Sequence, residues 1–136
     1  MRNTGHYPVL LVDDVDRTAR FYEAILGFDR SFSADWYVHL RSSEDETTEL
    51  AIMRFDHDTI PLAGRRPTGG LLLNFEVADV DAVHDIVTAR GAQPIQPLRS
   101  EPFGQRHFIL ADPDGVLIDI ITPIPFDPEW LAAQTA

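Results

Sequence analysis

Two stretches of the chain repeat one another. Val12-Asp13-Asp14-Val15-Asp16 recurs as Val77-Ala78-Asp79-Val80-Asp81, an offset of 65 residues (77 − 12), and Leu26-Gly27 is answered by Arg90-Gly91. So long a period lies outside solenoid repeats and reads as the duplication of a whole supersecondary unit. Any fold assigned to the chain must therefore be built twice.

In the first copy, residues 7–12 (YPVLLV) predict a short strand, with Pro8 near its start, where a missing N–H is tolerated at an edge or a chain crossing. Asp14 is a good N-cap, Asp16 adds charge to the first turn, and Val15, Ala19, Tyr22 and Leu26 share one helical face before Gly27 ends the helix. Residues 28–32, 36–41 and 49–55 follow as strands. The second copy predicts a strand over 71–77, an N-cap at Asp79, a stripe of Val80, Val83 and Val87, and a C-cap at Gly91. Strands near 93–96, 106–111 and 116–122 complete it.

These readings give an α+β chain of two β-α-β-β-β (βαβββ) modules within a single domain, residues 1–136. Module 6–56 and module 71–125 are joined by a Pro/Gly-rich linker, 57–70, and followed by a tail, 126–136, with one short helical turn over 129–134. A sheet with one helix leaves its other face uncovered. Two such sheets pairing those faces into a cup would bury them and leave a concave ligand site.

Composition narrows the partners. A formal net charge of −11 and a pI near 4.6 repel phosphate, which excludes nucleic acid and anionic membranes. Such a balance serves solubility or attracts a cationic ligand. No apolar run reaches the roughly 18 residues of a membrane span, and the polar start has no apolar signal core. Without cysteine there is no disulfide, thiolate nucleophile or Cys-ligated metal, and a cytoplasmic location is expected.

Residues 100–121 (SEPFGQRHFILADPDGVLIDII) predict a hairpin turning at Asp112-Pro113-Asp114-Gly115. Asp119 is the one acidic residue in its last apolar run, so it must face solvent or find a partner. His107 belongs to the preceding strand, and Glu76 shares strand parity with Leu72, which directs both toward the open sheet face. His107, Glu76 and Asp119 are therefore candidates for general acid or base. His6 reaches the same face only through a bulge, and His39, His57 and His84 have no ligand-like spacing. The chain has no phosphate-binding glycine loop, His-Glu-x-x-His or Gly-x-Ser-x-Gly.

Val12-Asp13-Asp14-Val15 leading to Phe21-Tyr22 and Leu26-Gly27-Phe28, then Phe75-Glu76-Val77-Ala78-Asp79-Val80 and the Asp112–Gly115 turn, resemble the vicinal-oxygen-chelate superfamily over about residues 6 to 125. That family includes glyoxalase I, extradiol dioxygenases, fosfomycin resistance proteins and bleomycin-binding proteins. The resemblance implies the cup-shaped glyoxalase/bleomycin resistance fold. Its enzymes hold a divalent metal through His or Glu side chains on the first and last strands of each module, and those places carry Tyr7, Met53, Leu72 and Asp119 here. Only the last is a usual ligand for such a metal, so no metal or other cofactor is expected.

Tyr7-Pro8-Val9-Leu10 and Glu101-Pro102-Phe103-Gly104-Gln105-Arg106 look like the metal-free, bleomycin-resistance-like branch. The resemblance implies an acidic homodimer that sequesters a drug-like or aromatic cationic small molecule, with Tyr37 and Phe103 at the places of groove aromatics and Trp36 beside them. The alternative is a divalent-metal-dependent lyase or dioxygenase, using His6 or His107 with Asp119, its ion polarising a vicinal dioxygen substrate.

Overall fold

The two aspartates of the repeat begin the two long helices. In the computed structural model, which describes residues 1–134, the Asp14 carboxylate accepts the Arg17 N–H at 3.0 Å and the Asp79 carboxylate accepts the Ala82 N–H at 3.1 Å. Each satisfies one of the donors a helix start leaves open. Helix α1 (Val15–Leu26) buries Val15, Thr18, Ala19, Tyr22 and Ile25. The expected Leu26 is only half-buried; the face turns onto Ile25 and Thr18 instead. Gly27 ends α1 at φ 73°, its N–H bonded to the Tyr22 carbonyl. Helix α2 (Val80–Ala89) buries Val80 and Val87, and its C-cap is Arg90 rather than Gly91. The left-handed step falls one residue later, on Gly91 at φ 100°.

Each helix connects the first strand of a four-stranded sheet to a three-stranded meander. The first sheet contains β1 (Val9–Val12), β2 (Phe28–Ser33), β3 (Tyr37–Ser42) and β4 (Glu49–Arg54) in the order β1-β4-β3-β2. The second contains β5 (Leu72–Glu76), β6 (Gln96–Glu101), β7 (Gln105–Ala111) and β8 (Leu117–Pro123) in the order β5-β8-β7-β6. First and last strands pair in parallel, β1 with β4 and β5 with β8, and the remaining neighbours are antiparallel. A parallel pair requires a long crossover, which the helix and meander supply. Strand β6 lies later than residues 93–96; register with β7 holds from Arg99 to Glu101, across the hairpin turn.

The chain divides into two compact units, Met1–Gly70 with Asp112–Gly115, and Leu71–Ala111 with the residues from Val116 on. In the first, Leu10, Val12, Val38, Leu40, Leu50 and Ile52 form one buried sheet face. This is the α1 side, since Tyr22 meets Phe28 edge-on at 6.1 Å and Arg30 pairs with Glu23 and Asp16 of the helix. In the second, Leu73, Phe108, Leu110, Ile118 and Ile120 are buried on the α2 side, where His84 meets Phe108 edge-on at 5.0 Å. The alternation of strand side chains assigns the remaining set to each open face.

Two segments without periodicity have structural work. In the linker, which contains one 3-10 turn at Leu62–Gly64, Thr68 bonds Leu11 twice: its hydroxyl accepts the Leu11 N–H and its own N–H donates to the Leu11 carbonyl, both at 2.8 Å. The free edge of β1 is thereby covered. The Asp112–Gly115 turn packs on α1: Asp112, 5% exposed, accepts the Tyr22 hydroxyl at 2.8 Å, and Asp114 accepts from Thr18 and Arg17. A short helix α3 (Pro128–Gln134) closes the described chain. Among the described residues, no helix is long and apolar enough to cross a membrane.

Two substitutions measure these anchors. Tyr22→Phe removes a buried bond to a carboxylate and is expected to cost about 2 kcal/mol in urea unfolding. Asp79→Ala, which removes only a cap, is expected to cost about 1 kcal/mol by the same measurement. Equal losses would show that the buried bond adds nothing beyond a surface cap.

Candidate functional site

In the second unit the question posed by Asp119 has an answer. Its carboxylate, 4% exposed within β8, receives His107 Nδ1 at 2.7 Å from the neighbouring strand β7. The other ring nitrogen, Nε2, lies 2.7 Å from Glu101 Oε2, and Gln96 Nε2 is 3.2 Å away. Carboxylates only accept, so both imidazole nitrogens carry hydrogen and His107 is an imidazolium. Burial opposes that charge, but the bonds and charges of Glu101 and Asp119 outweigh it and hold the His107 pKa above its ordinary value. The His107 bond, and then the Arg99 guanidinium 2.8 Å away, hold Glu101 below the usual carboxylate range. Neither nitrogen of His107 is open to a substrate, which removes the free valence that a general acid or base requires.

Phe103 lies on the hairpin turn that follows Glu101. Gly104 permits that turn at φ 85°, where a Cβ would meet the Ile124 carbonyl at 3.0 Å and the Phe126 ring at 3.2 Å. The Phe103 ring stands edge-on to His107 at 6.3 Å and tilts against Trp130 at 6.0 Å, while Trp130 stacks on Phe126 at 6.1 Å. Leu72, Asn74 and Glu76 lie on the same sheet face, all exposed, with Asn74 in register with Asp119. Glu76 is thus on the expected face, without contact to His107 in the hydrogen-bond network.

The open face of the first sheet carries a second cluster. His39, on β3, places Nε2 3.0 Å from Glu49 Oε1 and Nδ1 2.9 Å from the Tyr37 hydroxyl. Arg41 also reaches Glu49 Oε1 at 3.1 Å, and the bonds from His39 and Arg41 hold Glu49 below its ordinary range. Tyr7, just before β1, stands edge-on to His39 at 4.6 Å. Trp36 precedes β3, stacks on His57 at 4.0 Å and neighbours Tyr37 at 5.5 Å. Burial first, and then the Tyr7 phenol, push the Tyr37 phenol up.

Of the expected site residues, Tyr7, Trp36 and Tyr37 gather on the first sheet, with Met53 in register with Tyr37. Phe103, His107 and Asp119 gather on the second. His39 was given no partners by its spacing, yet it is the centre of the first cluster, because Glu49 comes from the adjacent strand β4. Glu101, Gln96 and Trp130 were likewise missed. The one legible signal was parity: Tyr37 and His39 alternate on one face.

Strand register also corrects the internal alignment. Val9 and Asn74 each lie five residues before their helix cap, and they pair with Ala51 and Asp119. The first-module counterpart of Asp119 is therefore Ala51, fully buried, and not Met53. The residues at the family's ligand places do not fit a divalent ion: they are a phenol, a methyl or thioether, an aliphatic chain and a carboxylate engaged by an imidazolium. Among the described residues, no group of three or more His, Cys, Asp or Glu side chains is placed to hold a metal ion.

The His107 cluster generates a pH signature. A raised imidazole pKa contributes stability that is complete below the unfolded value, near 6.5, and is lost as pH rises through the higher folded value. The lowered Glu101 pKa contributes stability present above its unfolded value and lost as pH falls through the folded one. The urea midpoint should therefore be highest between these limits, and His107→Gln should abolish the alkaline decline; an unchanged decline would assign it elsewhere. His107→Leu leaves Asp119 buried without a partner and is expected to cost about 3–5 kcal/mol, with much of it recovered when Asp119→Leu is added.

The arrangement has relatives. The model of the Glyoxalase/Bleomycin resistance protein/Dioxygenase superfamily matches residues 5–120. No curated protein matches the sequence significantly. Among solved structures, a glyoxalase/bleomycin resistance protein/dioxygenase from Nocardioides superposes with a TM-score of 0.75 at 18% identity, covering 91% of this chain and 85% of its own. A virulence protein from Salmonella typhimurium gives 0.72 at 25% identity, with 91% and 99% covered. The antibiotic-binding protein TnmS3 from Streptomyces gives 0.71 at 22% identity, with 90% and 97% covered. Two βαβββ sheets, the Asp-Pro-Asp-Gly turn and a family match over most of its length make this chain a member of the glyoxalase/bleomycin resistance protein/dioxygenase superfamily.

Proposed function

We propose that this chain is a metal-free small-molecule-binding protein of the glyoxalase/bleomycin resistance type that sequesters a flat, cationic aromatic ligand. The observation that carries the reading is the state of Asp119. The one carboxylate at a family ligand place is already neutralised by His107, so the site is built for a charge pair rather than an ion. Aromatic surface supplies the positive argument: Tyr7 is 43% exposed, Phe32 56% and Phe103 39%. Flat rings stack on such side chains, and cations are drawn to their faces. The net charge of −11 favours a cation at long range. TnmS3 shares the fold, which gives a precedent for antibiotic binding on this scaffold without fixing the ligand of this chain. A two-fold homodimer fits the reading, and a solution mass equal to the 15.3 kDa monomer at micromolar concentration would count against it.

Both tryptophans, Trp36 and Trp130, belong to these aromatic clusters, so binding should quench intrinsic fluorescence. Titration with planar cationic dyes and antibiotics is expected to give saturable quenching at a fixed stoichiometry. Absence of quenching across the series would remove the sequestration reading. Elemental analysis after incubation with nickel, manganese, zinc and iron is expected to find negligible metal; near one equivalent per chain would restore the lyase or dioxygenase reading.

A further inference from the structure

The C-terminal tail folds back onto the hairpin between β6 and β7. The Ile124 N–H donates to the Gly104 carbonyl and the Asp127 N–H to the Pro102 carbonyl, both at 2.9 Å. Asp127 in turn accepts the Glu129 N–H at 3.0 Å, just ahead of α3. Seven residues make a marginal helix in isolation, so these bonds and the ring contacts hold it in place. Yet α3 buries none of its side chains. A segment tied down without entering the core presents a surface.

That surface is aromatic. Phe126 lies so close to the hairpin tip that a Cβ on Gly104 would meet its ring at 3.2 Å. Trp130 runs nearly parallel to Phe126, 24° apart with centroids separated by 6.1 Å, and rings so offset leave part of each face uncovered. Phe103 makes a corner with them, tilted 54° to Trp130 at 6.0 Å. Phe103 and Phe126, 39% and 49% exposed, offer roughly 200 Å² of open ring between them. A stable subunit interface needs roughly 800 Å² a side, whereas a patch of this size covers a fused three-ring ligand. Charge selects among such ligands. No Lys or Arg follows Arg106, and the hairpin's own arginines are engaged, Arg99 with Glu101 at 2.8 Å and Arg106 with Asp81 at 2.9 Å. Asp127 and Glu129 are exposed in the tail, and among the described residues neither enters an ion pair.

We propose that the hairpin tip and the tail form one open aromatic corner, Phe103, Trp130 and Phe126, on which a flat aromatic cation stacks, drawn there by Asp127 and Glu129. The proposal rests on the binding reading above and assigns its site to the second unit. The tail is thereby part of the binding surface. In the first sheet, by contrast, a face of Trp36 is already covered by His57 at 4.0 Å, and Tyr7 is turned edge-on to His39. Rings held by backbone bonds before the ligand arrives lose little freedom on binding.

The test uses the full chain, whose two tryptophans give two indole N–H signals in nitrogen–proton correlation spectra. The signal lost in Trp130→Leu identifies Trp130. Proflavine, a planar cation, is expected to shift the Trp130 signal and leave that of Trp36 in place; the reverse would overturn the proposal and leave the sequestration reading standing on the first sheet. Affinity is measured by the anisotropy of the dye. Trp130→Leu should weaken binding about tenfold, the worth of one stacked ring, whereas Phe32→Leu should not change it. Glu129→Gln should weaken binding about threefold at low salt and by less at high salt. Equal binding by wild type and Trp130→Leu would remove the site. A fall in solution mass in Trp130→Leu, with dye affinity unchanged, would make the corner a subunit contact and overturn the proposal likewise. Failure of the dye to bind wild type would remove the sequestration reading and this site with it.

Discussion

A carboxylate inside an apolar strand stays charged only if something answers it, and the polar interior of the second sheet is the answer to Asp119. The imidazolium of His107 comes from the adjacent strand, and the Glu101 carboxylate from the next one out accepts from its far side. Each bond is worth more here than in water because the surroundings are dry, and each group would be costly without its partner. The hairpin that presents Phe103 is tied to the same network, since it begins at Glu101. Loss of His107 would therefore disturb the charge balance and the aromatic surface together.

The two sheets share one geometric rule, the parallel pairing of first and last strands. That pairing requires a long crossover, in which the helix leads from the first strand to the far edge of the sheet and the meander returns to the last strand, and the aspartate caps set where each crossover helix begins. It also aligns the open faces residue by residue, which is how Ala51 emerges opposite the role that Asp119 holds in the other copy. Duplication has kept the backbone while the chemistry diverged. One module buries a charged histidine between carboxylates; the other holds a histidine between a carboxylate and a phenol.

Much of the fold was legible. Asp14, Asp79 and Gly27 act as local rules require, because a cap depends on only three or four neighbouring residues. The Asp112–Gly115 turn was equally plain. Boundaries slipped where propensity is weak: Pro94 and Pro97 blur the start of β6, and Gly91 attracted the cap that Arg90 holds. The clusters were harder to read. His39 and Glu49 lie ten residues apart with a turn between, as do His107 and Asp119 at twelve, and nothing local marks which strand positions will be neighbours.

By itself the sequence determined the duplicated β-α-β-β-β plan, the helix starts, the acidic character and the family, because these depend on period, caps and composition along the chain. Only the tertiary structure decided that Asp119 belongs to His107, that Ala51 is its counterpart, that Thr68 covers the edge of β1, and that His39 lies between Glu49 and the Tyr37 hydroxyl. Those facts depend on strand register. A shift of one residue would turn every one of these side chains to the opposite face, and register is set by pairing across the sheet rather than by the residues on either side.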